Sequence, residues 1–81
     1  MPERRQHTRH RTLLGARLIH GPEDASFDGI IRNLSVSGAM MTCDNPTGLP
    51  ARITVAVPAR AMVRDGWIVW RRLDAVGLAF F

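Results

Sequence analysis

Arg5 and Arg9 stand four residues apart in the basic string Arg5, Gln6, His7, Thr8, Arg9. A guanidinium can hold a phosphate, or the O6/N7 edge of guanine, through two parallel N–H donors, and its plane can stack on a purine. Residues at i and i+4 share a face, roughly 6 Å apart along a helix and roughly 13 Å apart along an extended chain. An extended segment therefore lets the two forks grip one ligand from two points. Further along, Asn33, Leu34, Ser35, Val36, Ser37 and Gly38 bring an amide, a hydroxyl and a glycine together. The Asn33 carbonyl can accept from guanine N1–H or N2–H, and Ser35 can serve a phosphate or ribose oxygen. Gly38 leaves room for backbone to approach a ligand. The two strings read as the halves of a receptor for an anion and a guanine.

Each string also has a plainer explanation. Two arginines in a charged N-terminal segment describe a solvated basic tail, or one drawn to nucleic acid. Asn, Ser and Gly are favoured in β-turns for conformational reasons alone. Other residues offer less. His7 and His10 have no carboxylate partner in reach, so no metal site is expected. Trp67 and Trp70 fall on opposite faces of a regular strand, which predicts one in the core and one partly exposed, with Trp67 placed to flank a ligand. No Ser/His/Asp set, carboxylate pair or phosphate-cradling glycine loop is legible, so the chain is not expected to be an enzyme. Cys43 is the single cysteine, which excludes an intramolecular disulfide and a cysteine-rich zinc site and leaves it the role of a small buried hydrophobe.

The elements that must position these groups follow from pattern and composition. With 81 residues, 46% of them hydrophobic, the chain has the size of one small domain. It lacks an apolar run of the roughly 18 to 20 residues a membrane span needs. No apolar segment follows the N-terminal arginines, so no secretory signal is read and the cytoplasm is the expected compartment. Arg4, Arg5, Arg9 and Arg11 against Glu3 place most of the formal charge of +4 in residues 1–11, read as a flexible basic arm. Residues 12–81 read as a small all-β, six-stranded antiparallel barrel. Its strands are expected at Leu14 to His20, Phe27 to Leu34, Gly38 to Cys43, Ile53 to Val57, Ala61 to Arg71 and Val76 to Phe81. Arg72 to Ala75 form a turn, and Gly66 marks a bulge or sharp bend.

The order R-x-x-x-R then N-x-S-x-x-G resembles the PilZ domain, a bacterial family best known for binding cyclic diguanylate. Ile68, Val69 and Trp70, then Gly77, Leu78, Ala79 and Phe80, are similar to the family's aromatic-containing strand and its final G-x-x-F strand, so the likeness spans nearly the whole chain. The resemblance implies a non-catalytic second-messenger receptor. Its ligand-binding set would be Arg4, Arg5, Arg9, Asn33, Ser35 and Gly38, with cyclic di-GMP as ligand, no cofactor, and a downstream protein partner. The extra charge of Arg4 would favour two stacked ligand molecules over one. Family members often continue into a C-terminal helix, whereas this sequence stops at Phe81, which suggests a minimal domain. Two other functions fit parts of the pattern. One is a PilZ-like protein-interaction adaptor without nucleotide binding; the other is a small basic barrel that holds RNA or DNA through its arginine arm.

Overall fold

Leu14, Ala16 and Leu18 alternate with Gly15 and Arg17, and this period of two turns one face of the chain towards a core. The computed structural model describes residues 10–81. They form β1 (His10–His20), β2 (Ala25–Leu34), β3 (Gly38–Thr42), β4 (Arg52–Val57), β5 (Met62–Arg72) and β6 (Ala75–Phe80), with single 3-10 turns at Pro46–Gly48 and Pro58–Arg60. The strands close into an antiparallel barrel in the order β1, β2, β3, β6, β5, β4, its closing seam joining Arg17, Leu18 and Ile19 of β1 to Ala56, Val55 and Thr54 of β4. Leu18, Ile31, Met41, Val55, Val57 and Val76 fill its centre and are fully buried. No helix among the described residues is long and apolar enough to cross a membrane.

Strand boundaries differ from the sequence reading where pairing, which pattern does not reveal, extends a strand. β1 begins at His10, and His10 pairs with Leu34 and Arg11 with Asn33, so the last two residues assigned to the arm are strand. β2 begins at Ala25 rather than Phe27, and the turn between β5 and β6 contains only Leu73 and Asp74.

Two readings of β5 are corrected. Gly66 pairs in register with Ile53 and Phe80; the irregularity lies beyond it, between Ile68 and Trp70. What Gly66 provides is close strand approach, since a Cβ there would collide with the Ala79 carbonyl oxygen. The bulge turns Val69 and Trp70 both outward after the buried Ile68, so neither tryptophan enters the core. Trp67 is 46% and Trp70 43% exposed.

Cys43 is buried just after β3, its N–H donating to the Asp74 carbonyl at 2.9 Å. Burial pushes its thiol pKa up, and the Asp44 and Asp74 carboxylates push the same way. Because the folded value is raised, this group's contribution to stability is full below the ordinary thiol range and is lost as pH rises through the folded pKa. At neutral pH, alkylation of Cys43 by iodoacetamide is expected to be at least about tenfold slower in the folded protein than in urea, by mass spectrometry, because the thiolate is the nucleophile. Equal rates would contradict the burial.

Candidate functional site

β-bulges displace side chains from the alternating pattern, and two of them shape one side of this barrel. Between Ile31 and Asn33 the β2 register slips against β3, so that after the buried Ile31 both Arg32 and Asn33 face outward. The β5 bulge does the same for Val69 and Trp70. Cross-strand partners share a face. Successive pairs Arg11 with Asn33, Asn33 with Met40, Met40 with Gly77, and Gly77 with Trp70 therefore lay one row of residues across five strands on the outer surface.

The row crosses an open depression of about 240 Å³. Gly38, Met40, Gly77 and Ala79 form its floor; Asn33 and Ser35 stand at one side, Val69 and Trp70 at the other. Gly77 has no side chain where the Trp70 indole lies across the strand, and a Cβ there would meet the ring. On the far side of that indole, the Arg72 guanidinium carbon sits 5.0 Å from the ring centroid, a cation–π contact. Among the described residues, none that lines the depression is acidic. Its volume is below the roughly 300 to 1,000 Å³ of pockets that enclose small ligands, so the barrel supplies only one wall.

The turn between β2 and β3 is built by its own polar groups. Ser35 N–H donates to the Gly38 carbonyl at 2.9 Å, and Gly38 N–H donates back to Ser35 Oγ at 3.2 Å. Ser37 N–H also donates to Ser35 Oγ, at 3.3 Å. Ser35 Oγ in turn donates to the Gly38 carbonyl at 3.3 Å or shares a proton with Ser37 Oγ at 3.3 Å, so its proton and both lone pairs are engaged within the turn, through bonds at or beyond the long end of the usual range. Arg64 reaches over from β5, donating through Nη1 to the Val36 carbonyl at 2.8 Å while its guanidinium lies 4.7 Å from the Phe80 ring centroid. Asn33 differs from Ser35. It is partly exposed, and its side chain lines the depression's edge with no hydrogen-bond partner among the described residues.

The structure thus brings Asn33, Ser35 and Gly38 together at one end of a concave surface. Arg4, Arg5 and Arg9 lie outside the described residues, as does His7. Trp67 does not line the depression; its ring lies 5.3 Å from that of Phe81, whose other neighbour is the Arg52 guanidinium at 5.1 Å. Sequence reasoning missed Trp70 as the facing wall and Met40 and Gly77 as floor, because strict alternation sends Trp70 to the wrong face. The one available signal was Gly77 itself, a glycine inside a strand that marks close approach.

Among known families, the model described as PilZ domain matches residues 3–81, which takes in all six strands and both motif strings. No curated protein matches the chain.

Proposed function

We propose, since the chain belongs to the PilZ domain family, that it is a non-catalytic receptor for cyclic diguanylate that passes the bound state on to a protein partner. The observation that carries this reading is the register of β1 on β2. His10 pairs with Leu34 and Arg11 with Asn33, so the chain leaves the barrel towards its N-terminus beside the rim of the depression. Arg9 is bonded to His10, and consecutive Cα atoms are about 3.8 Å apart. Arg9, with Arg5 beyond it, is therefore within reach of a ligand resting on Asn33 and Trp70, and the arm supplies the wall the barrel lacks. In this arrangement the arginines take phosphates and guanine edges, Asn33 reads the guanine N1–H and N2–H donors, and Trp70, its ring held between Gly77 and Arg72, forms the opposite wall. Ser35 adds an oxygen at the same rim. Gly38 contributes by letting β3 and β6 approach, which fixes the floor.

Calorimetric titration with cyclic diguanylate, cyclic diadenylate and a mixed-sequence oligonucleotide tests the assignment. Saturable binding of cyclic diguanylate in preference to the other two supports it. Binding of the oligonucleotide alone would make the protein a nucleic-acid barrel, and binding of none would make it an adaptor. Asn33→Ala is expected to narrow the preference for cyclic diguanylate over cyclic diadenylate by about tenfold, the equivalent of one lost hydrogen bond of about 1.5 kcal/mol. The melting temperature should stay within a few degrees, because no described residue bonds to that amide. A variant that unfolds while the preference is unchanged would assign Asn33 to the turn alone.

A further inference from the structure

Arg11 lies outside the R-x-x-x-R string, yet the fold sets it beside the rim of the site. β1 and β2 pair Arg11 directly with Asn33, and because paired residues share a face, its side chain stands on the outer surface next to the rim amide. It is exposed, and no ion pair or hydrogen bond joins its guanidinium to another described residue. Neighbouring strands are roughly 4.8 Å apart, a gap shorter than an extended arginine side chain. The guanidinium can therefore pass over Asn33 to the depression's edge. At the opposite end of the same row, Arg72 is stacked on Trp70. The depression is thus bracketed by two arginines held on strands.

We infer that Arg11 is a further ligand-binding residue, one that holds a phosphate or guanine acceptor beside Asn33 from the rigid barrel rather than from the arm. The inference rests on the cyclic diguanylate reading and adds to it. A cation already held on a paired strand is pre-organised for binding, so Arg11 should support weak binding when Arg5 and Arg9 are removed. Arg17 provides the internal control. It is an exposed arginine on the same strand, but it pairs with Asp28 towards the other end of β1, its Nε 3.4 Å from the carboxylate, away from the pair that Arg11 makes with Asn33. Removing either arginine changes the net charge equally.

The test is calorimetric titration of the full chain with cyclic diguanylate for the wild type, Arg11→Ala, Arg11→Lys and Arg17→Ala, with circular dichroism to verify that each variant is folded. Arg11→Ala is expected to bind at least about tenfold more weakly, the loss of one charge-assisted bond. Arg11→Lys should fall between it and the wild type, since an ammonium keeps the charge but not the fork. Arg17→Ala should remain within about twofold, a surface charge being screened over roughly 10 Å at 0.1 M salt. Adding Arg11→Ala to an Arg5→Ala, Arg9→Ala background should remove the residual binding that background retains. Wild-type affinity in Arg11→Ala, or equal losses in Arg11→Ala and Arg17→Ala, would overturn the inference while leaving the receptor assignment standing. A wild type that does not bind cyclic diguanylate would overturn both.

Discussion

Replacing Arg5 and Arg9 together with alanine is expected to lower the affinity for cyclic diguanylate at least a hundredfold while the barrel keeps its melting temperature. Each guanidinium contributes charge-assisted bonds of roughly 1.5 to 3 kcal/mol, so losing two removes about 3 to 6 kcal/mol, or roughly two to four orders of magnitude in affinity. Stability should be nearly untouched, since the buried core among the described residues runs from Ala16 to Leu78 and both substitutions precede His10. Each single variant should show an intermediate loss. Raising salt should weaken the wild type more than the double variant, because contacts between exposed arginines and phosphates are screened and release counterions. Near-native affinity in the double variant would sink the receptor assignment. Hydrogen exchange of the segment up to residue 12, with and without ligand, then asks whether the arm is the element that changes state. Ligand contacts available only when the arm lies on the barrel would shift its population, and protection gained near residues 5–9 is the expected sign.

How much of this was legible beforehand follows from which interactions leave a local trace. Val55 and Val57 announce β4, and Leu14, Ala16 and Leu18 announce β1, because burial on one face imposes a period of two whatever the partner strand. The bulges leave no such trace. Ile68, Val69 and Trp70 read as a regular continuation of β5, and only pairing with β6 shows the extra residue there, so alternation sends one tryptophan to the core where the structure keeps both outside. The same holds for the site. The motif residues were visible as types at a spacing, but the row that joins Arg11 and Asn33 to Trp70 is a property of register across five strands. Register is set by tertiary packing and turn geometry, so Arg11 looked like one more charge in a basic arm.

Gly38 shows a residue whose identity was legible and whose reason was not. The N-x-S-x-x-G string suggests a glycine that makes way for a ligand. In the structure its backbone lies outside the left-handed region that favours glycine, so conformation would not object to another residue. What objects is β6: a Cβ on Gly38 would fall inside contact distance of the Leu78 carbonyl oxygen. That oxygen is backbone of a strand paired with β3 and β5, and it cannot move without opening the barrel. Gly38→Ala is therefore expected to destabilise the fold by about 1 to 3 kcal/mol or more, the usual cost of overpacking. In a domain of this size that lowers the melting temperature by roughly 5 to 20 °C. Gly77→Ala makes the contrast. Its clash is with the Trp70 indole, a side chain that can swing off the strand, so this variant should keep more stability but lose the wall of the depression and with it ligand affinity. Thermal and urea denaturation of both variants, with cyclic diguanylate titration at a temperature where each is folded, separates the two roles. If Gly38→Ala melts like the wild type and fails only in binding, the glycine is there for the ligand and not for β6.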